Sequence, residues 1–489
     1  MRARSSLLRS TLLAGLFSSS LAAQTLQDAM VSAYRNNPQL EADRARQRAA
    51  DEDVSRAWGG YRPQVVVSGQ AGRAKDKSLI PPLSDPNGPP LEVISSVRKP
   101  VEEAVQVTQE IWDGNRTFSD VTHSKWAVAN GRALLISTEQ TVLGGAVQAY
   151  YDLYRDQKIV DIQREFVHSL EDEKKAAVAR YGVKDVTRTD VAQSEARLAR
   201  GIADLRQYEG NLETSRSAFL LAVGFSPGIL PDPPPLPLAV LPGNVDDALS
   251  LVEENPDLKA AIYAEKAAEA DIDTAESALM PNLALQGLAT RNAHTDYTGT
   301  QLTTGQMLLT LTVPLYDGGV ASARTRAAKH TFGQRRLSTD LQRFRTEDAI
   351  KRAWENLQAT LARIKALEEN RRAAEVALDG VHQELKVGSR TVLDELNARQ
   401  EVLDARIGLL RSRHDAAVSA YTLLVACGRL TAAALDLPVE NYDATEHYES
   451  ASWMPWGPWT NQNYPAATKV PDSEIPGGRA RPALPFIDP

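Results

Sequence analysis

A chain of 489 residues, 43% hydrophobic and 24% charged, is long enough for two or three domain equivalents and too apolar to be disordered throughout. A formal charge of −8, with basic and acidic residues interleaved, excludes the basic stripe of a nucleic-acid binder. The single cysteine, Cys427, excludes an intrachain disulfide and lies too deep to carry lipid at a mature N-terminus.

Residues 1–23 read as a secretory signal: Arg2, Arg4 and Arg9 precede an apolar run from Leu12 to Phe17 and the small residues Ala22 and Ala23. A first repeat, 24–225, follows. Asn37-Pro38 opens a helical segment that closes before Pro63, and a strand with period-two patterning begins there. Val65, Val67, Gly69 and Ala71 share one face of it, while Val66, Ser68 and Gln70 share the other. Pro81, Pro82, Pro86, Pro89 and Pro90 mark a long surface loop, expected to lie outside the cell, between about Lys75 and Pro100. The return strand sets Val105, Val107 and Ile111 against Gln106, Thr108 and Glu110. After Trp112-Asp113-Gly114 no proline interrupts the chain from Thr117 to Tyr181, which as one helix spans about 100 Å. Past a turn, Val191, Leu198, Leu205, Leu212 and Phe219 recur every seven residues, the signature of coiled-coil packing.

Residues 226–243 form a proline-rich linker, and a second repeat, 244–436, then runs through the same succession. Asn255-Pro256 and Met280-Pro281 stand 218 residues beyond Asn37-Pro38 and Arg62-Pro63; Leu40, Asp53 and Gly69 superpose on Leu258, Asp271 and Gly287 with the same shift. Farther on the shift is 204, placing Trp112-Asp113-Gly114 on Tyr316-Asp317-Gly318 and Asp190 on Asp394, so the first copy holds about 14 extra residues in its hairpin. The second hairpin presents Leu283, Leu285, Gly287 and Ala289, then Met307, Leu309, Leu311, Val313 and Leu315, on its apolar face. Its returning helix carries the heptad positions Leu396, Leu403, Leu410, Ala417 and Leu424. From Leu437 to 489 an irregular tail with Trp453, Trp456 and Trp459 is expected to be extended or disordered.

No stretch offers the ~18 consecutive apolar residues of a spanning helix, which leaves a closed β-barrel as the way for this chain to cross a bilayer. Four strands are too few to close one; three chains supply twelve. The expected lipid face is Val65, Val67, Val105, Val107, Leu283, Leu285, Leu309, Leu311 and Val313.

With these elements in order and duplicated, the chain resembles the TolC-type outer-membrane channel-tunnel proteins from Thr25 to about Leu437. The matching segments are the Asn-Pro openings, the Asp-Gly turns, Tyr181-Gly182-Val183 with Thr187-Arg188-Thr189-Asp190-Val191, and Val387-Gly388-Ser389-Arg390-Thr391-Val392-Leu393-Asp394. The resemblance implies a mainly α fold with a small β part: a homotrimer whose twelve-stranded barrel in the outer membrane stands on long coiled-coil helices forming a periplasmic tunnel. It implies as partners a periplasmic adaptor and an inner-membrane ABC or proton-driven transporter, and as cargo secreted protein or small molecules. It also implies a gate at the helical turns, in which Arg390 links to Thr189 and Asp190, and a pore ring at Asp394. Leu385 stands where some members have a tyrosine, and Asn397 where a second ring aspartate is found.

No P-loop, Gly-x-Ser-x-Gly elbow or His pair with metal-ligand spacing occurs, so no enzyme, cofactor or metal site is expected. Asp394 with Glu395 reads as a solvated face unless it forms a pore ring. The alternative to an exit duct is a periplasmic coiled-coil structural or adaptor protein, for which four strands with lipid-like faces have no use.

Overall fold

The computed structural model describes residues 25–80, 92–237, 240–296 and 299–452. The expected signal segment, the prolines at the tip of the first hairpin and the three tail tryptophans lie outside the described residues.

The first copy runs α1 (Leu26–Asn36), α2 (Pro38–Trp58), β1 (Gln64–Ala71), β2 (Ala74–Ile80), β3 (Glu92–Arg98), β4 (Val101–Trp112), α3 (Arg116–Gly182) and α4 (Arg188–Val223). The second runs α5 (Val245–Ser250), α6 (Pro256–Ser277), β5 (Asn282–Ala293), β6 (Gln301–Thr312), α7 (Val320–Lys386) and α8 (Val392–Ala426), followed by α9 (Glu446–Ala451). Both long helices contain 67 residues. The duplicated punctuation has a physical reason at each helix start. Asn37 and Asn255 are N-caps followed by proline, whose missing N–H costs nothing at the first helical position. The side chain of Asn255 accepts from the amides of Asp257 (3.0 Å) and Leu258 (3.2 Å) and donates to the Ala426 carbonyl (3.0 Å), tying α6 to the end of α8. Asn255→Ala removes all three bonds at a buried position and is expected to cost about 1–2 kcal/mol, read as a lowered midpoint of thermal unfolding. Asp113 and Asp317 serve the long helices similarly, accepting from the Thr117 amide (2.8 Å) and the Ala321 amide (2.6 Å).

The four long strands form one antiparallel sheet in the order β1-β4-β5-β6, leaving β1 and β6 as edges, both exposed along their whole length. Val65 pairs with Val107, Val67 with Val105, Leu285 with Leu309 and Leu283 with Leu311, so these eight side chains lie on one face. The ninth expected member, Val313, lies beyond the end of β6 and is not part of the ladder. Ile111 also departs from expectation, because the register shifts between Glu110 and Trp112 and leaves it in a bulge. The expected loop from Lys75 to Pro100 is largely a ribbon: β2 and β3 pair antiparallel from Ala74↔Arg98 to Ile80↔Glu92. Each of its faces mixes polar and apolar residues, Lys75 and Lys77 with Leu79, Val93 and Val97 on one, Asp76 and Arg98 with Ile80 and Ile94 on the other, so there was no apolar alternation to betray a strand.

Equal length does not mean equal burial. α3 buries 23 residues and packs on α1, α2, α4, α6 and α8, whereas α7 buries eight and packs mainly on α6 and α8. The main core gathers Tyr150, Leu143 and Leu153 of α3 with Phe219 of α4, Leu424 of α8 and Leu26 of α1. Of the ten heptad positions, Leu212, Phe219, Leu396, Leu403, Ala417 and Leu424 are buried, while Val191, Leu198, Leu205 and Leu410 are half-buried. The linker is docked rather than free: Leu230 is buried, its amide donates to Gln157 Oε1 (3.1 Å), and Asp232 meets Tyr154 (2.9 Å) and Lys158 (3.2 Å) of α3. The tail also departs from expectation between Leu437 and Ser452. Leu437 joins the main core, the Arg44 guanidinium lies 4.7 Å from the Tyr34 ring and 5.1 Å from the Tyr442 ring, and His447 of α9 sits 3.1 Å from Asp51 of α2.

Candidate functional site

At the pole opposite the sheet, α3 turns into α4 and α7 into α8. The turns need a left-handed residue four positions before α4 and α8 begin; Lys184 takes it in the first copy (φ 59°) and Gly388 in the second (φ 78°). Each returning helix opens on a capping box. Thr187 Oγ1 bonds Asp190, whose carboxylate in turn accepts from the Thr187 amide (2.8 Å); Thr391 and Asp394 repeat this at 2.9 Å. The backbone amide and hydroxyl of Thr391 hold the Asp394 carboxyl below the usual carboxylate range, so it is anionic at neutral pH. Both acids singled out in the sequence therefore have a local duty at a helix start.

Arg390 does not reach Thr189 or Asp190 within the chain. Its Nε donates to Glu384 Oε2 (2.8 Å) across the α7–α8 turn, while Thr189 is exposed. Asn397 accepts from Arg197 of α4 (2.8 Å), joining the two returning helices 200 positions apart in sequence. Leu385 packs with Leu170, Val392, Leu396, Phe166 and Leu198 in an apolar cluster beside the turns.

Glu395 corrects the sequence reading. It is 1% exposed, not solvated, and accepts from Arg399 (2.6 Å) and lies 2.9 Å from His382 Nδ1. Burial pushes its carboxyl up, but the hydrogen bonds to His382 and Arg399 outweigh this and leave it below the usual range. Across from it on α3, Glu173 moves the other way: burial and the neighbouring Glu395 charge raise its carboxyl, against Arg399, Arg180 and His382. The i,i+4 spacing of Glu395 and Arg399 was the available local signal. Among the described residues no group of three or more His, Cys, Asp or Glu side chains is arranged to hold a metal ion.

The geometry is a four-stranded sheet with two open edges at one pole and two capped turns at the other, separated by about 100 Å of helix. The family model described as "outer membrane efflux protein" matches residues 29–224 and 249–429. The outer membrane efflux protein BepC of Brucella suis biovar 1 (strain 1330) is 34% identical over 431 residues, covering 87% of this chain and 90% of that protein. The proteases secretion protein PrtF of Dickeya chrysanthemi is 30% identical over 230 residues, 45% of this chain and 49% of that protein. Among solved structures, the outer membrane protein VceC of Vibrio cholerae superposes with a TM-score of 0.69 at 18% identity, covering 82% of this chain and 96% of that one.

Proposed function

This chain belongs to the outer membrane efflux protein family, and on that premise we propose how its own residues close, gate and fill an outer-membrane channel-tunnel. The chain is an exit duct of the outer membrane for secretion or efflux, with a large periplasmic part. Three copies pair β6 of each with β1 of the next, giving a twelve-stranded barrel. The observation that carries this reading is the open sheet itself: two long unpaired edges in lipid cost several kcal/mol per orphaned backbone group, and cyclic pairing with further copies removes both. The face holding Val65, Val67, Val105, Val107, Leu283, Leu285, Leu309 and Leu311 is turned to lipid; Val313 meets the headgroups at the periplasmic end.

The energy comes from partners, an inner-membrane ABC or proton-driven transporter coupled through a periplasmic adaptor. The similarity to a proteases secretion protein favours secreted protein as at least one cargo. The capped turns form the periplasmic mouth. Arg390, held at Nε by Glu384, directs its remaining donors to Thr189 or Asp190 of the neighbouring chain, and the Asp394 carboxylates form a threefold ring with Asn397 one turn deeper. The test is single-channel recording in planar bilayers. Arg390→Ala is expected to raise the resting conductance. Asp394→Asn, which keeps an acceptor for the cap, is expected to weaken cation preference without loosening the turn. Unchanged conductance in the first and unchanged selectivity in the second would leave the duct standing and remove this gate.

A further inference from the structure

The β2–β3 ribbon is the part of the first copy for which the second has no counterpart; β5 and β6 are joined by 294–300 alone. Its register is continuous with that of the barrel strands below it. Gln64↔Thr108 through Ala71↔Val101, the Gly72 amide on the Pro100 carbonyl (3.0 Å) and Ala74↔Arg98 through Ile80↔Glu92 all follow one unslipped pairing, interrupted only at Arg73 and Lys99. Side chains on paired strands alternate strictly, so an unslipped register carries a face from one ladder into the next. The face of Val65, Val67, Gly69 and Ala71 therefore continues into Arg73, Lys75 and Lys77. That of Val107, Val105, Glu103 and Val101 continues into Lys99 and Val97.

All four cations are exposed, and none has an ion-pair partner among the described residues. Both acidic residues of the ribbon belong to the opposite face of its ladder: Asp76, bound to Arg98 (2.7 Å), and Glu92, which pairs with Ile80. The nearest carboxylate on the cationic face is Glu103, four positions down from Lys99 and beside Arg291 (3.9 Å). Arg73 and Lys99 stand opposite each other where the ladder opens, and like charges so placed destabilise a hairpin unless an anion lies between them. With ~3.4 Å of rise per residue and the tilt of barrel strands, this pair sits about 10 Å above the Gly69–Glu103 row, at the height of lipid headgroups.

We propose that the outward face of the β2–β3 ribbon, through Arg73, Lys75, Lys77 and Lys99, binds the phosphorylated headgroups of outer-leaflet lipid. The proposal rests on the lipid-facing assignment of Val65, Val67, Val105 and Val107. A trimer presents three such patches around the barrel rim, each seated where an anionic lipid already touching the apolar band places its phosphates. Arg73 and Lys99 share one phosphate between them, and Lys75 and Lys77 reach the phosphates farther out.

The experiment uses the full-length trimer purified in detergent and titrated with lipopolysaccharide, either bearing its lipid A phosphates or enzymatically dephosphorylated. Bound lipid is counted by native mass spectrometry. The variant with Arg73→Gln, Lys75→Gln, Lys77→Gln and Lys99→Gln is expected to bind the phosphorylated lipid about tenfold more weakly, as four surface cations lose their pull on an anionic headgroup. Wild type is expected to bind the dephosphorylated lipid as weakly as that variant, and millimolar inorganic phosphate to compete poorly because it lacks the acyl chains. Arg98→Gln, on the other face, is expected to bind as wild type does. Should the quadruple variant not assemble, Arg73→Gln and Lys99→Gln are read singly, each expected to weaken binding. Equal binding by wild type and either the quadruple variant or both single variants overturns the proposal, as does indifference of wild type to dephosphorylation. Membrane fractionation of wild type separates the two readings: a trimer absent from the outer membrane defeats the lipid-face assignment, whereas one that is inserted yet indifferent to phosphate defeats only the ribbon.

Discussion

Leu309→Arg is expected to deplete trimers from the outer membrane, because each of three chains then carries a charge into hydrocarbon at a cost of about 2–4 kcal/mol. The register sets the choice of site. Rows of side chains on the apolar face run from Leu311 with Leu283, through Leu309 with Leu285 and Met307 with Gly287, to Gly305 with Ala289, and turn polar at Thr303 with Arg291. Leu309 and Met307 are the middle rows, whereas Leu311 is one residue from the end of β6 and next to the helices. The depth dependence of the penalty predicts a gradient: Leu311→Arg costs only about 0–1 kcal/mol, Leu309→Arg the full amount, and Gln306→Arg, on the other face, little. The measurement is the urea dependence of insertion into vesicles, together with the amount of heat-modifiable trimer in isolated outer membranes. A disruptive Gln306→Arg beside a silent Leu309→Arg would reverse the face assignment.

Glu395→Ala is expected to open the α7–α8 turn, at a cost of about 3 kcal/mol. Removing one partner of a buried ion pair leaves the other without compensation, and here two groups, Arg399 and His382, lose their acceptor at once. The figure sits at the low end for such pairs because Arg399 keeps a quarter of its side chain in water. The pH dependence of the cluster has two opposite contributions. Glu395, with its carboxyl lowered by folding, contributes stability that is present above the ordinary carboxylate range and lost as pH falls through its depressed value. Glu173, with its carboxyl raised, contributes stability present below that ordinary range and lost as pH rises through its elevated value. Glu173→Gln is therefore expected to steady the turn at pH 7.5 and to have little effect at pH 4. Glu395→Ala is expected to weaken it most at pH 7.5. Amide hydrogen exchange of residues 385–391 reads both: faster exchange in Glu395→Ala and slower exchange in Glu173→Gln at the higher pH are the expected results, and identical exchange in both variants and wild type would show that the cluster does not hold the turn.

The features legible in the sequence were those with a local or periodic signature. The Asn-Pro caps, the Asp-Gly helix starts, period-two strands and seven-residue repeats each follow from the backbone chemistry of a few neighbouring residues, and duplication printed each twice. Long-range polar partners left no such mark. The Arg197–Asn397 bond joins residues 200 positions apart, and Arg390 folds back on Glu384 only because the turn geometry brings them together. The β2–β3 ribbon escaped notice because it inherits its register from β1 and β4 instead of encoding one in its own side chains. The segment from Leu437 to Ser452 looked irregular because it is held by rings stacked on Arg44 and by His447 on Asp51, contacts with no sequence period.

The central position of α3 has a consequence for how the chain is made. Its buried face is completed by α6 and α8 of the second copy, which leave the ribosome after it, and by the strap beyond Leu437, which leaves last. Within the first copy only α1, α2 and α4 are at hand to cover it, so the strip of this helix, about 100 Å long, that packs on α6 and α8 is bare until the second copy has been made. Native contacts spanning such sequence separations form slowly, because the loop must close before the contact rewards it. The two copies, alike in sequence, are therefore expected to mature as a single cooperative unit, and a chain truncated after its first half is expected to be degraded rather than to form half a duct.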